Sequence, residues 1–478
     1  MSNFTIAWIG LPFFLGFVIY LIPKLDRYLA LGMALVSGGY AMLLFTKSPL
    51  TLQLLDNFGV TLVIDQLSGY FILTNALVTV AVMIYCWYSD KTAFFYAQTI
   101  ILHGSINAAF VCADFISLYV ALEVSGIAAF LLIAYPRSDR SIWVALRYLF
   151  ISNVAMLFYL VGAVLAYKAN HSFSFASLRG APPEAIALIF LGLLVKGGIF
   201  ISGLWLPLTH SEAETPVSAM LSGIVVKAGV YPLVRCALMV DEFDSIIRLF
   251  GVGTALLGVF YAVFEKDTKR MLAFHTVSQL GFILAAPKVG GFYALTHGLV
   301  KSALFMTAGA LPSRNFKELQ QKPINTRVWI ALVIASFSIS GFPMLSGFGA
   351  KVLTSKNFLP WQAIAMNIAA LGTAISFAKF IFLPRGGQGE VRRGFWPAVI
   401  LLIAGLILAN IVYFEAYTVA NIIKPLAIIG VGWIAYFLIF RRSVLKLPRV
   451  IEQFEHLIGM MSLMLILLFW MVFAWLGI

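Results

Sequence analysis

The chain has 478 residues, of which 61% are hydrophobic and 11% are charged. Soluble globular domains carry about 25% charged residues, so this composition excludes an ordinary soluble domain and indicates an all-α, polytopic membrane protein. The net charge of +13 is spread over short loops rather than collected in charge runs, and it does not indicate nucleic-acid binding.

Apolar runs of about 18–25 residues, long enough to cross a hydrocarbon core of about 30 Å, recur along the whole chain. The first run has no basic flank before it, and we interpret it as a retained span rather than a signal peptide. No loop is long enough for a separate nucleotide-binding or redox domain. We predict about sixteen spans, near residues 4–22, 28–46, 67–88, 93–112, 115–135, 141–167, 185–209, 216–239, 244–264, 269–287, 291–311, 327–353, 359–383, 395–414, 417–440 and 455–477.

The loops that follow odd-numbered spans hold most of the lysines and arginines, for example Lys266, Lys269 and Arg270 after the ninth span. Basic loops of membrane proteins stay in the cytoplasm. The alternation therefore predicts that both termini lie on the non-cytoplasmic side of a bacterial inner membrane or a thylakoid-type membrane.

The seventh predicted span carries Lys196 and is then interrupted by Gly197 and Gly198, with a polar cluster that includes His210 further on. A charge at bilayer depth costs at least about 2.5 kcal/mol, and interrupted helices are tolerated where they are buried in protein or line a wet cavity. Lys196 is therefore predicted to carry protons rather than to snorkel towards the interface. His210 is an additional candidate.

Two further charges lie inside neighbouring apolar spans. Glu123 is the only carboxylate of the fifth span and has small residues around it, which permit close helix contact. We predict that Glu123 is the partner of Lys196, because a nearby carboxylate changes how readily a buried lysine holds its proton. The alternative is a structural ion pair. Lys227, in the eighth span, is predicted to be the third member of the group.

The second half of the chain contains its own titratable residues. His297 and Lys301 are four residues apart and share a helix face, and a histidine passes protons in either direction near neutral pH. Lys351 follows a second interrupted span and is predicted to exchange protons with the outer face. For His275 and Lys379, which lie closer to a cytoplasmic loop, a relay role and a satisfied buried or snorkelling role are equal alternatives.

The membrane charges recur at a nearly constant spacing. Glu123 and His275 are 152 positions apart, and Lys196 and Lys351, both in interrupted spans, are 155 apart. Five spans per repeat force the second copy to lie upside down, which is the inverted-repeat arrangement of secondary transporters. The predicted division is N-terminal helices at 1–112, a first five-helix repeat at 93–239, a second at 244–383, and C-terminal helices at 395–478.

No residue pattern in the sequence indicates a metal or cofactor site. Cys86, Cys112 and Cys236 lie in or near different apolar segments without metal-ligand spacing, and we interpret them as small buried side chains. His297 and Lys301 have a spacing found at metal sites, but lysine is a poor ligand and no cysteine or carboxylate joins them. No metal and no cofactor are therefore expected.

Several stretches resemble the motifs of one family. The stretch WLPLTHSEAETPVSA resembles the W-L-P-x-A-H-x-x-A-P-x-x-V-S-A motif of the antiporter-like subunits shared by Mrp-type sodium/proton antiporters and respiratory complex I. The stretches DQLS, EKDTKRMLAFHTVSQLGF, THGLVKSALFMTAGA and GFPMLSGFGAK resemble further family motifs, in the right order, over residues 60–385. The chain departs from the pattern at Thr209, Glu214 and His275. Glu214 adds an acidic group near the interrupted helix and is an additional candidate for ion access.

The resemblance implies a core of fourteen spans with two inverted five-helix repeats, each containing a broken helix. It also implies that the two spans after residue 416 are additions to that core. The amphipathic stretch RRSVLKLPRVIEQFEHL between these two spans is expected to contact a partner. The proton route implied by the resemblance runs through Glu123, Lys196, Lys227, His297, Lys301 and Lys351.

The expected function is that of a proton-translocating subunit of a multi-subunit cation/proton antiporter, with sodium as the expected cation, similar to the D-type subunit of Mrp antiporters. Its partners would be other membrane subunits, protons, sodium ions and lipid, and the chain is not expected to be an enzyme by itself. One alternative is a proton-pumping membrane subunit of an NAD(P)H- or ferredoxin-quinone oxidoreductase, whose redox chemistry would lie in partner chains. The other is a structural membrane scaffold without transport.

Overall fold

The computed structural model describes residues 2–55, 58–441, 445 and 447–476, and this part of the chain is mostly helical. Two pairs of short strands complete it: β1 (Leu50–Leu55) pairs antiparallel with β2 (Gly59–Ile64), and β3 (Ile324–Asn325) pairs parallel with β4 (Arg385–Gly387). The helices are α1 (Ser2–Leu21), α2 (Asp26–Leu44), α3 (Gln66–Cys86), α4 (Ala93–Ala109), α5 (Phe115–Ile133), α6 (Asp139–Asn170), α7 (Pro183–Gly197), α8 (Leu206–Glu212), α9 (Thr215–Met220), α10 (Lys227–Met239), α11 (Asp241–Phe264), α12 (Thr268–Ala285), α13 (Gly290–Ala308), α14 (Phe316–Leu319), α15 (Thr326–Ser340), α16 (Ser346–Lys356), α17 (Pro360–Ile381), α18 (Phe395–Val412), α19 (Val419–Ala435) and α20 (Phe454–Leu476).

Twelve helical segments of the described chain are long and apolar enough to cross a membrane. They coincide with twelve of the predicted spans, and the other four predicted spans coincide with α4, α12, α13 and the pair α15–α16. These four are shorter or more polar; α12, for example, begins with Lys269 and Arg270 in its first turn. The prediction of an all-α, polytopic membrane protein is thus confirmed.

The helices that carry Lys227, His275, His297 and Lys301 are the innermost ones. Every residue of α12 and α13 is buried, and so is every residue from Pro216 to Ala237. In the outer span Val419–Phe440, by contrast, only Ile429, Gly432 and Tyr436 are buried. The more polar helices are therefore shielded by apolar neighbours, which is how a membrane protein accommodates charges at bilayer depth.

The chain leaves helical geometry twice inside the fold. α7 ends because Gly198 adopts a left-handed conformation with φ of +68°; a 3₁₀ segment at Phe200–Trp205 follows before α8 begins. α15 ends in the same way at Gly341, with φ of +85°, and α16 begins five residues later. The two interruptions are compatible with the predicted inverted repeats, which remain a prediction.

The hairpin of β1 and β2 fills the loop between α2 and α3, where no element was predicted. The hairpin leads into Asp65, whose side chain caps α3 by accepting a hydrogen bond of 3.0 Å from the Ser68 backbone amide. The same carboxylate pairs with both terminal nitrogens of Arg235 on α10. The D-x-L-S stretch therefore both starts a span and ties that span to the centre of the fold.

The last helix, α20, packs against α7 and the 3₁₀ segment at Phe200–Trp205. The amphipathic stretch predicted before it falls partly on residues 442–444 and 446, which lie outside the described residues. The described part of that stretch contains a helical turn at Val450–Glu452 and the first turn of α20. α20 therefore covers the interrupted helix from the outside.

Candidate proton-translocation site

Lys196 lies in the last turn of α7, directly before the first interruption, and its side chain is buried. Its Nζ donates a hydrogen bond of 2.6 Å to Ser152 Oγ on α6. Gly126 on α5 leaves room for the ammonium group, because a Cβ atom at that position would lie 2.8 Å from Nζ. Lys196 is thus held between α5 and α6 where α7 loses its helical geometry.

Glu123 lies one turn before Gly126 on α5. Its Oε1 atom is buried and accepts no hydrogen bond from the described residues. Glu123 and Lys196 are close enough to interact electrostatically, but within the described chain the direct partner of the ammonium is Ser152 rather than the carboxylate. Their function as a pair remains a prediction.

Lys227 follows a π-helical turn at Leu221–Val225. Its Nζ donates to the backbone oxygen of Gly223, a group that the irregular turn makes available, since such turns shift the helical hydrogen-bond register. The ammonium also lies against α13, where a Cβ atom on Gly298 would be 3.6 Å from Nζ. Lys227 therefore connects the irregular turn to α13.

The segments that carry the first two lysines touch backbone to backbone. A Cβ atom on Gly229 would lie 2.3 Å from the backbone nitrogen of Gly197, so α7 and α10 can cross at this distance only with glycine there. Lys196 directly precedes Gly197, and Lys227 lies two residues before Gly229. The crossing therefore brings the two lysine-bearing segments together.

His297 and Lys301 lie one turn apart on α13. Lys301 Nζ donates to the backbone oxygen of Leu272 on α12, and His275 follows Leu272 by one turn of the same helix. Neither ring nitrogen of His297 or His275 has a hydrogen-bond partner among the described residues. Buried polar groups are normally hydrogen-bonded, and in each of these rings the nitrogen without a proton has its lone pair available to accept one.

His210, on α8, is also fully buried, with both ring nitrogens unpartnered in the described structure. Its ring centroid lies 6.2 Å from those of Trp205 and Phe305. Phe305 belongs to α13, one turn after Lys301, whose Nζ lies 5.2 Å from the Phe305 ring centroid. The structure therefore brings His210 near the lysine of the second half.

Lys351 and Lys379, both predicted as candidates, have different surroundings. The ammonium of Lys351 is buried, makes no hydrogen bond with the described residues, and lies 5.5 Å from the ring centroid of Phe282 on α12. Lys379 donates to backbone oxygens at the end of α11, at 2.6 Å to Val263 and 2.8 Å to Glu265. Such bonds satisfy carbonyl groups that a helix end leaves free, so Lys379 has the geometry of a helix cap.

Glu214 lies at the rim of the fold rather than beside the buried lysines. It immediately precedes α9, and its Oε2 forms an ion pair of 2.5 Å with Lys91 in the loop between α3 and α4. The neighbouring Glu212 pairs with Arg140 and Arg314, at 3.4 and 3.9 Å. The acidic residues that follow His210 are thus held by basic loops of the predicted cytoplasmic side.

The buried residues form a series that crosses from the first half of the chain to the second. In the described structure none of its four lysines forms an ion pair. A buried ammonium group without a carboxylate is costly, and this cost is removed when the group gives up its proton. The arrangement can therefore hold and release protons at successive positions. In chain order the series is Lys196, Lys227, His275, His297, Lys301 and Lys351.

A polar cluster that the sequence analysis did not single out lies among α2, α3 and α4. Asn107 donates 3.0 Å to His103 Nε2, so the ring proton is assigned to Nδ1, which donates 3.1 Å to Thr79 Oγ1. Ser37 contacts the same Nε2 at 2.8 Å, and Asn75 donates 2.8 Å to Asn107 Oδ1. Both nitrogens of His103 are thus satisfied, as in a structural histidine. His103 and Asn107 are four residues apart in an apolar span, and this spacing was the sequence signal that could have indicated the cluster.

Comparison with known proteins shows the family to which the chain belongs. The family model described as "NADH:quinone oxidoreductase/Mrp antiporter, TM" matches residues 112–376, more than half of the chain. The chain therefore belongs to the family of membrane subunits shared by NADH:quinone oxidoreductases and Mrp antiporters, and the resemblance inferred from the motifs is confirmed. This family identifies the chain as an ion-translocating, integral membrane subunit.

Individual relatives come from both branches of the family. The chain is 27% identical over 437 residues to the D-type subunit of the Na(+)/H(+) antiporter of Alkalihalophilus pseudofirmus, covering 81% of this chain and 88% of the relative. It is 31% identical over 366 residues to the N-type subunit of the NADH-quinone oxidoreductase of Desulforudis audaxviator, covering 68% and 72%. Its fold matches a chain of the archaeal membrane-bound sulfane sulfur reductase, with a TM-score of 0.77, 20% identity, and coverage of 90% and 99%.

Proposed function

We propose that this chain is the proton-translocating subunit of a multi-subunit sodium/proton antiporter. The observation that carries the proposal is the series of lysines with buried ammonium groups, present in both halves, that form no ion pair among the described residues. A fixed structural charge would be expected to have a counter-ion, whereas a lysine that alternates between its charged and neutral forms does not need one.

In the proposed route, protons enter the first half beside Glu123 and Lys196 and leave the second half beside Lys351. Lys227 receives the proton after Lys196, because the crossing at Gly197 brings their segments together. Lys301 then continues the route, with His297 one turn before it on the same helix. Each half would open to one side of the membrane, so the transfer between Lys227 and Lys301 is lateral.

His275 and His210 lie beside this route and are proposed as secondary proton acceptors, since their ring nitrogens are bare and buried. Lys379 is left out of the route because its ammonium group is engaged in capping α11. Glu214, which forms an ion pair with Lys91, would influence ion access at the cytoplasmic rim.

The assignment to an antiporter rests on the extent of the similarity. The match to the D-type antiporter relative extends over 81% of this chain and 88% of that relative, so it reaches well beyond the residues that the family model matches. The higher identity to the N-type quinone oxidoreductase relative, 31%, favours the second candidate, a proton-pumping membrane subunit of a quinone oxidoreductase. We give more weight to coverage, because the two identities differ little while the covered lengths differ clearly.

The two candidates are separated by the partners of the chain. Purification of the tagged chain from its native membrane, followed by mass spectrometry, should recover other membrane subunits of an antiporter and no redox subunits. Recovery of peripheral subunits that bind flavin or iron–sulfur clusters in stoichiometric amounts would overturn the antiporter assignment and establish the second candidate.

A further inference from the structure

A cavity of about 770 Å³ opens at one edge of the fold, where the start of α2, the end of α3 and the start of α18 meet. Its volume lies within the range of about 300–1,000 Å³ that is typical of small-molecule sites. Its walls are strongly basic, with two acidic side chains among them. The charged residues that line it are Arg27, Asp90, Lys91, Glu214, Arg392 and Arg393.

Two of the basic residues are already engaged. Lys91 pairs with Glu214 at 2.5 Å and also lies 4.4 Å from the ring centroid of Tyr135. Arg27 donates to the backbone oxygens of Trp87 and Ser89 after the end of α3. These contacts fix the floor of the cavity. Among the described residues the charge of Arg27 has only a weak counter-ion, because Arg27 Nε lies 3.9 Å from Asp26 Oδ1.

Arg392 and Arg393 are exposed, and neither guanidinium makes a hydrogen bond or an ion pair within the described chain. Their position is nevertheless fixed by the backbone. A Cβ atom on Gly394 would lie 2.3 Å from the backbone oxygen of Ile84, so the start of α18 sits directly on the end of α3. Two free guanidinium groups are thus held at the mouth of the cavity.

We propose that this cavity binds the phosphate of an anionic phospholipid headgroup. Guanidinium forks match the geometry of phosphate oxygens, and basic pockets between helices on the cytoplasmic side are suited to anionic headgroups. The cavity lies at the ends of three spans, beside the exposed Tyr88, a residue type enriched at membrane interfaces. A metal cation is disfavoured there, because basic side chains outnumber acidic ones. The argument for lipid binding does not rest on the proposed transport function.

The site also reaches the interrupted region of the fold. Glu214 lines the cavity and lies directly before α9, and it holds Lys91 through an ion pair. A bound phosphate would compete with Glu214 for Lys91. The cavity is therefore a place where a lipid can act on the rim of the translocation region.

The test uses the full-length chain in detergent, freed of bound lipid, with phosphatidylglycerol added in steps and bound lipid counted by native mass spectrometry. The double variant Arg392→Gln with Arg393→Gln should bind phosphatidylglycerol roughly tenfold more weakly than the wild type. The matched control, Arg385→Gln with Arg441→Gln, removes the same charge from exposed arginines on the same predicted side, away from the cavity. It should bind like the wild type.

A third variant has the opposite expected sign. Glu214→Gln removes a negative charge from the cavity and frees Lys91, so it should bind phosphatidylglycerol a few-fold more tightly. Equal affinities of the cavity and control double variants would overturn the proposal, and so would unchanged or weaker binding by Glu214→Gln. Complete displacement of the lipid by an equal concentration of inorganic phosphate would show a site for free phosphate instead of lipid.

Discussion

At the scale of single residues, the proposal depends on lysines that can lose a proton. An arginine keeps its charge at every physiological pH and so cannot replace a lysine in a proton relay. The structure separates two kinds of buried lysine: Lys227 lies at the junction of the two halves, whereas Lys379 caps a helix end.

We predict that Lys227→Arg keeps the assembled complex but abolishes proton transfer. The charge and the contact with the Gly223 carbonyl can be retained by arginine, while the release of a proton cannot. The measurement is proton flux in vesicles that hold equal amounts of assembled complex. Transport at the wild-type rate would show that Lys227 is a fixed charge and that the lateral route lies elsewhere.

Lys379→Arg provides the matched comparison. A guanidinium can also donate to the Val263 and Glu265 backbone oxygens, so this variant should transport at close to the wild-type rate in the same vesicles. A loss of transport as large as that of Lys227→Arg, with normal assembly, would return Lys379 to the proton route.

Lys301→Arg should reduce the flux, but less than Lys227→Arg does. His297 lies one turn away on α13 with both ring nitrogens bare, so it offers a second proton acceptor at the same level of the fold. The prediction is checked by adding His297→Ala to Lys301→Arg, which should abolish the remaining flux. An unchanged flux in the double variant would remove this part of α13 from the route.

At the scale of helices, the fold is closed by an ion-pair cluster beneath α20. Arg270, in the first turn of α12, donates to both oxygens of Glu452, at 2.6 and 2.8 Å, and to Glu265 at 3.2 Å. Arg147 on α6 donates to the Glu452 backbone oxygen. Glu452 lies two residues before α20, so the cluster fixes this helix against elements of both halves.

Arg270→Ala should therefore loosen α20. It leaves two buried carboxylates without their shared partner, which costs about 3 kcal/mol or more. Limited proteolysis between α19 and α20, together with thermal unfolding in detergent, measures the effect. Arg441→Ala, which removes an arginine outside the cluster, is the control. Equal cleavage rates in the two variants would show that the cluster does not hold α20.

The two carboxylates of the cluster should respond to acid in opposite ways. Burial alone would raise the pKa of Glu265, but the charge of Arg270 and backbone hydrogen bonds hold that pKa below its ordinary value. Burial raises the pKa of Glu452, and Arg270 offsets this only in part. The charge of Glu265 therefore stabilises the fold above its unfolded-state pKa, and this contribution is lost as the pH falls through its lower folded-state pKa.

Glu265→Gln should accordingly lower the unfolding temperature at neutral pH, and the difference from the wild type should shrink as the pH falls below about 4. Glu452→Gln should lower it less at neutral pH, and its difference from the wild type should grow in acid, because the raised folded-state pKa of Glu452 means that its protonation stabilises the fold. Thermal unfolding over a pH series tests both variants. A difference for Glu265→Gln that grows in acid would contradict the assigned sign.

The sequence allowed most of these helices to be predicted, because apolar length and loop charge are local properties. It did not show the hairpin of β1 and β2, whose short alternating strands lie between two strong spans. It also left Lys379 undecided, since its capping contact depends on where α11 ends in space. His103 was missed because its satisfied polar cluster draws partners from two other helices, α2 and α3. The motifs, in contrast, identified the family directly, and two of them, WLPLTHSEAETPVSA and GFPMLSGFGAK, lie at the interrupted helices.

At the scale of the whole molecule, the chain is proposed to work as a subunit. If each half opens to one side only, exchange of two ions requires a path for the second ion that this series of lysines does not provide. The purified chain alone, reconstituted in liposomes, should therefore show little or no cation-driven proton movement. Robust exchange by the single chain would contradict the dependence on partner subunits.

The central claim is that protons cross this subunit through its buried lysines, beginning at Lys196 and Glu123. The most direct test is cation-driven dissipation of a pH gradient in vesicles, with the amount of assembled complex measured in the same preparation. Both Lys196→Ala and Glu123→Gln should assemble at the wild-type level and abolish the dissipation. Full activity of either variant in normally assembled complex would contradict the claim.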